Sequence, residues 1–581
     1  MTRKYPQQLD VAIIGAGVSG LYSGWRLKED SNTKFMNSAI FDMSDRVGGR
    51  LHTIKMHGVD TIPVELGGMR FMEHQELIKE VISQFDIKVT EFPMGRSKTN
   101  IKYLRRQRFT DNDWAKATFE HRYFIDGQHK QKSPDDLFQE LVDTILSMDA
   151  NQIVLAVEGL EYQPHSMAFF DRSDWDKIKS KLIDDDPNSP DYGEKLENIG
   201  FWNLIRTKLS SEGFELLADG GGYYSNTLNW NSAEALPYVV GDFTGDVTYQ
   251  TLAEGFDQIG RQLYNHYHDV NSLDGSGQVF TRTQLTKIEK TTDATYRYKL
   301  TFTDLVNNTS VITKARKVIL AMPRRSLELI VDNIELGADT EAALAGFKSN
   351  INCVIGEPSF KLLMAFDTPW WQSVEVPGTD DKIEHGHATT DMAMRQCYYF
   401  GTQQEAEKTN GVMLASYNDM RTVSFWKPLE KDGNDHSLLP TLSLFKPKWC
   451  DRTEQLTARL GGPLGEYDNY SQAPERMVKH ALNQLSELHN YEVPEPIDTA
   501  YFNWNDDPFG GGYHAWKANY KVGEMMAKMR NEPITNEAIH VCGEAYSDQQ
   551  GWVEGAFCIA EQMLNDNFDV TTLIEGYYLG R

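Results

Sequence analysis

The run LDVAIIGAGVSGLYSGWRL, residues 9–27, constrains the fold more than any other stretch of the chain. A short β-branched segment leads into Gly15, Gly17 and Gly20 at G-x-G-x-x-G spacing, and a helical apolar pattern follows at Leu21, Trp25 and Leu27. In a strand–turn–helix context each glycine has a physical task. They make the turn tight, let backbone N–H groups approach a pyrophosphate, and allow the helix to pack closely on the strand. The N-terminus of that helix adds partial positive charge for the phosphates. A second strand pattern, SAIFDM, ends in Asp42, 22 residues after Gly20, where a carboxylate should hold a ribose hydroxyl. The reading is a dinucleotide site. Whether NAD or FAD fills it is open at this point.

Bulk properties narrow the class. A chain of 581 residues with 40% apolar and 11% aromatic residues can bury a large core and is not wholesale disordered. A formal net charge of −26 argues against nucleic-acid and anionic-membrane partners, which reward basic surfaces. No apolar run reaches the roughly 18 residues of a membrane-spanning helix. The first residues lead straight into the strand–turn motif, so they read as the start of the fold and not as a secretory signal. Cys353, Cys397, Cys450, Cys542 and Cys558 are scattered, with no metal spacing or disulfide framework. Reduced core thiols in a cytoplasmic protein are expected, with no metal site.

The residues after Asp42 read MSDRVGGRLHT. Here the chain resembles the flavin-containing amine oxidase superfamily, whose ribose-binding acid is followed by an R-x-G-G-R segment. The resemblance implies that Arg46, Gly48, Gly49 and Arg50 lie along an FAD pyrophosphate and ribityl chain, an arginine offsetting phosphate charge. It also implies noncovalent FAD, because Tyr513 in DPFGGGY stands where monoamine oxidases carry their flavin-linked cysteine. The far end of the chain supplies a matching piece, AIHVCGEAYSDQQGWVEGAFCIAEQML, residues 538–564. By the same resemblance Gly543 and Glu544 meet the ribityl chain. A helix opening at Trp552-Val553 then faces the flavin pyrimidine edge, favouring the charge of the reduced ring. EGFDQIGRQL (254–263) resembles a turn that puts Gly255 and Asp257 near the cofactor, and Leu285 in TRTQLTKIE is the implied adenine-side contact.

The resemblance implies an α/β fold: an FAD-binding Rossmann-like domain of the glutathione-reductase type, assembled from distant segments, with a mixed-sheet substrate domain and a helical lobe. The expected boundaries are 1–60, 250–340 and 530–581 for the FAD domain. The substrate domain takes 61–110, 241–249 and 341–529, and the helical lobe 111–240, where helical periodicity is clear.

ELGGMRFM, residues 65–72, places Arg70 in an apolar, glycine-rich run. Burying an unpaired guanidinium is costly, so an anion is expected beside it: an internal carboxylate, a cofactor phosphate or a substrate. L-amino acid oxidases carry G-P-M-R or G-G-M-R at this point, their arginine forking onto the substrate α-carboxylate. That resemblance implies a pocket built from Arg70, Tyr417 and Tyr398, with Gly68 and Met69 beside the flavin. Lys361 then holds a water near the flavin, and the Gly551 carbonyl accepts from the substrate amine. Trp504 and Trp552 are the implied aromatic walls. Asp419 is placed to favour polar or basic side chains, and Trp230 to form a side-chain wall. An alignment through Gly222, Tyr223 and Tyr224 puts Ala233 where venom-type oxidases have a histidine. The implied reaction is oxidative deamination of an L-α-amino acid with O2, giving a 2-oxo acid, ammonia and H2O2. The alternatives are a monoamine or polyamine oxidase, an amino-acid 2-monooxygenase, or an FAD-bearing binding protein without turnover. The expected partners are the amino acid and O2, in a homodimer or higher homo-oligomer.

Overall fold

The computed structural model describes residues 3–580 except 96–97, 126–129, 165–169, 223–228, 244–247, 270, 273, 405–407 and 431–469. Cys450, Tyr223 and Tyr224 therefore lie outside the described residues.

The β-branched run of the opening motif becomes the strand Gln8–Ile14, whose last four residues are buried. It sits in a parallel sheet ordered Val279–Phe280, Ser38–Phe41, Gln8–Ile14, Thr309–Leu320 and Ile539–Val541. Parallel strands need crossover connections, and here they are long enough to bring both ends of the chain into one sheet. The strand Thr309–Leu320 also pairs antiparallel with Tyr298–Asp304, which pairs in turn with Thr283–Lys290. That meander flanks the parallel layer. On one face, the helix Val18–Glu29 packs beside Gln258–Tyr267 and Val553–Phe568. Their shared core takes in Leu21, Trp25, Ile40, Ile259, Ile319 and Phe557.

A second, mixed sheet is ordered Asp498–Asn503, Ser359–Phe366, Thr409–Asp419, Gln396–Gln404, Gly386–Thr390, Ile101–Leu104 and Gln107–Thr110. Its strand Ser359–Phe366 is buried along its whole length, as expected of a strand covered on both faces. Two apolar cores lie against this sheet, one containing Phe360, Met364, Trp371 and Trp426, the other Leu363, Leu414, Tyr398 and Met69. Helices fill much of 134–243 and carry their own core around Leu137, Leu141, Trp175, Phe201 and Leu236. Residues 341–354 and much of 516–534 do not join the second sheet. Phe347, Ile351, Val354, Trp516, Met526 and Met529 pack into the first core.

Among the described residues no helix is long and apolar enough to cross a membrane.

Candidate functional site

The carboxyl ends of the parallel strands open onto a long cleft that runs from the glycine turn to the second sheet. That is where open α/β sheets bind ligands.

At one end, Gly15 adopts φ +111°, and a Cβ there would lie 2.2 Å from the Ala321 carbonyl oxygen. Gly20 touches the same turn: a Cβ on it would meet the Gly15 carbonyl oxygen at 1.9 Å. The strand, turn and helix are thus packed too tightly for any side chain. Gly17 differs. A Cβ there would meet only Gly49 Cα, at 3.9 Å, so the space it leaves belongs to the cleft and to a ligand. The Asp42 carboxylate accepts from the amides of Ala16 (2.6 Å) and Ser44 (2.8 Å) and from the Ser44 hydroxyl. It also lines the cleft, as do Gly48, Gly49, Arg50 and Leu285.

Arg46 departs from expectation. Its guanidinium donates to the carbonyls of Leu51 (2.8 Å), Gly49 (2.7 Å) and Val47 (3.2 Å) and does not line the cleft. It shapes the loop whose backbone faces the ligand, because three inward-turned carbonyls capture its donors first. Burial lowers its pKa to about 10, against the pull of Asp257.

The C-terminal segment closes this half. Gly543 (φ +132°), Glu544, Gly551 (φ +85°), Trp552 and Val553 line the cleft, and the helix Val553–Phe568 points its N-terminus there. Burial alone would raise the Glu544 pKa. Arg50 at 2.8 Å, His514 at 2.9 Å and the amide of Gly551 outweigh it and hold the acid at about 2. Glu544 is therefore an anion that fixes Arg50 and the Gly551 turn.

At the other end, cross-strand registry does the assembly. Lys361 and Tyr417 are directly opposite in the antiparallel pair Ser359–Phe366 and Thr409–Asp419, so both side chains leave the same face. Asp419 follows two residues later on that face, and all three line the cleft. Lys361 Nζ donates to the carbonyls of Gly67 (2.6 Å) and Glu65 (3.2 Å) and lies 3.4 Å from Met69 Sδ. It thereby holds the ELGGMR segment. Gly67 must be glycine, since a Cβ would lie 2.1 Å from the Arg50 carbonyl oxygen. Burial pushes the Lys361 ammonium down; Glu65 opposes this and Arg70 adds to it.

Arg70, 9% exposed, lines the same cleft. Its Nη1 donates to Met94 Sδ at 3.0 Å, and its guanidinium lies 4.0 Å from the Tyr249 ring centre and 5.4 Å from that of Phe92. Trp552 stacks on Tyr249 at 6.5 Å, so the arginine and the helix N-terminus are joined through one ring.

The cleft that accepts a nucleotide at the glycine turn thus carries a buried lysine and arginine beside a helix N-terminus. The family model of the flavin containing amine oxidoreductases matches residues 18–558. The chain belongs to that family. It is an FAD-dependent oxidoreductase acting on amines, and the FAD is held noncovalently. Among the described residues no cysteine lines the cleft; Cys353, Cys397, Cys542 and Cys558 are buried elsewhere. The chain is similar to aplysianin-A of Aplysia kurodai, at 23% identity across 97% of this chain and 90% of that protein. It is also similar to an L-amino-acid oxidase of Pseudechis australis, at 20% identity over 75% and 70% of the two chains. The fold is that of putrescine oxidase bound to putrescine: TM-score 0.57, 15% identity, covering 96% and 98% of the two chains.

The structure corrects four pocket expectations. Tyr398 is buried behind the cleft, stacked on His387 and donating to Gln396 Oε1 at 3.2 Å. Trp504 donates to the Leu66 carbonyl at 2.8 Å and packs edge-on against Phe509, which is the ring that lines the cleft. Trp230 sits edge-on behind Tyr238, and Tyr238 forms the wall. Asp419 lines the cleft but bonds Arg395 at 2.9 Å, with both groups buried. Its charge is neutralised within the protein, which removes the reason for expecting a basic side chain there.

Sequence reasoning missed Arg395, Tyr238, Tyr249, Met94 and Glu357. Glu357 is fully buried, with neither carboxylate oxygen hydrogen-bonded among the described residues. Burial, and then the nearby Asp419 and Glu544, push its pKa well up, which favours its protonated form. Ala233 is buried in the helical core and does not line the cleft.

Proposed function

We propose that the protein is an L-amino acid oxidase, converting L-α-amino acids and O2 into 2-oxo acids, ammonia and H2O2. The observation that carries this reading is that Arg70 lines one cleft with Lys361, Tyr417 and the nucleotide cradle. An amine oxidase whose substrates lack an acid group has no use for a buried guanidinium at that place. A substrate carboxylate supplies the planar anion a guanidinium matches bidentately, and Tyr417 offers a hydroxyl on the same face.

FAD, when bound, supplies the redox chemistry, taking the Cα hydride and passing electrons to O2. The protein supplies position and charge. Clamping the carboxylate orients Cα, and orientation of this kind accounts for a large part of many rate enhancements. Arg70 is a cation in this buried space, which disfavours a second positive charge and favours binding of the substrate amine in its neutral form. Its lone pair is then available to the developing iminium. The convergence of Arg70, Tyr417 and Lys361 on one cleft argues against noncatalytic flavin binding.

A panel of L- and D-amino acids with peroxide readout, and anaerobic flavin bleaching, tests the proposal. L-isomers alone should bleach the flavin and yield 2-oxo acid with peroxide. Bleaching by decarboxylated amines in place of amino acids would refute it, and an amide product would reassign it to a monooxygenase.

A further inference from the structure

Met94 touches the Arg70 guanidinium through its sulfur, at 3.0 Å, next to a cleft that on the reading above releases hydrogen peroxide. We propose that Met94 is an oxidation site through which the product of turnover weakens substrate binding. This rests on the L-amino acid oxidase reading for the source of peroxide.

The chemistry needs no other reagent. The sulfur lone pair attacks one peroxide oxygen and the O–O bond breaks. The sulfur loses two electrons and gains that oxygen, while the other leaves as water with both protons. The product is methionine sulfoxide, reversible by sulfoxide reductases.

Geometry gives the consequence. A thioether is a weak acceptor, so the contact that Met94 makes with Arg70 Nη1 in the reduced protein, beside the faces of Tyr249 and Phe92, is a weak one. A sulfoxide oxygen on the same sulfur is a strong dipolar acceptor within reach of the same N–H donors. It competes with the substrate carboxylate for Arg70. Because the competitor acts on binding, KM rises while the rate at saturation changes little. Met94 is only partly buried, whereas Met364, Met413, Met477 and Met526 are fully enclosed in cores and serve as internal controls.

The test uses the flavin-loaded full chain in three arms: turnover of an accepted L-amino acid, the same turnover with catalase, and reagent hydrogen peroxide without substrate. Peptide mass mapping follows oxygen gain at Met94 and the four controls, and KM and kcat are measured before and after. We expect Met94 to gain one oxygen in the first and third arms and not with catalase. KM should rise roughly tenfold or more, the scale of one hydrogen bond to a charged group, with kcat within about twofold and with recovery on methionine sulfoxide reductase treatment. Met94→Leu, compared with its own starting values, should show no such drift. Met94 untouched by reagent peroxide, or fully oxidised with KM unchanged, overturns the proposal. Absence of peroxide in the turnover arm overturns the proposed function and the feedback together, and the reagent arm distinguishes that failure from one at Met94.

Discussion

Replacing Arg70 by alanine tests the proposed function most directly. Arg70 is 9% exposed, so a carboxylate bound to it as proposed would be largely desolvated, and little bulk water would take over when the arginine is gone. Truncating one partner of a buried, hydrogen-bonded charge pair costs about 2–5 kcal/mol. That range is a fall of roughly 30-fold to 5000-fold in kcat/KM for an L-amino acid. Lys361 lies close enough for Arg70 to push its ammonium down, so some positive potential survives in the variant, and the lower half of the range is expected. Arg70→Lys keeps the charge but loses the fork, and should fall between the variant and the native chain. The assay is anaerobic stopped-flow bleaching over a concentration series, with the flavin-to-protein absorbance ratio as a control. Arg70 reaches the cleft outside the glycine cradle, so the ratio should hold. A variant that keeps its flavin and retains kcat/KM within about threefold of the native value would refute the assignment of this cation to the substrate.

Three further outcomes follow from the packing. Gly20→Ala would drive a methyl group into the Gly15 carbonyl, 1.9 Å away, displacing the helix from the strand; purified protein should carry markedly less FAD, read as visible absorbance per chain. Arg395→Met strips the partner from buried Asp419 and should lower unfolding free energy by about 3–5 kcal/mol in denaturant titrations, with Asp419→Asn in the same chain restoring part of the loss. Glu357 keeps its proton in the folded state while the unfolded chain releases it above the ordinary carboxylate range. The folded state then binds more protons, and stability declines as pH rises from that range towards the raised folded value. Glu357→Gln should flatten this alkaline decline in melting temperature; an unchanged slope would show that the acid is ionised or solvated in the native protein.

The nucleotide half of the site was legible in the sequence because its chemistry is local. A pyrophosphate cradle needs glycines at fixed spacing between a strand and a helix, and Gly15, Gly17, Gly20 and Asp42 satisfy that over 28 residues. Arg46 shows the limit even there, since the loop carbonyls that claim it are set by backbone path and not by composition. The substrate half is non-local. Tyr417 and Tyr398 come from neighbouring strands with irregular registry between them, and register decides which ring faces the cleft. Trp504 and Trp230 are conspicuous in sequence for the reason they are buried in structure: large rings fill cores as readily as they line pockets. Asp419 read as a bare acid because Arg395 lies 24 residues earlier, and only the pairing of Gln396–Gln404 with Thr409–Asp419 joins them. The two arginines then separate on chemistry. Arg395 spends its donors on a carboxylate and on the carbonyls of Gly222 and Tyr417; Arg70 lies against a thioether and two ring faces, among its contacts, beside the cleft. Of the two, Arg70 is the one that opens onto the cofactor cleft, which is why the proposed function assigns it the substrate carboxylate.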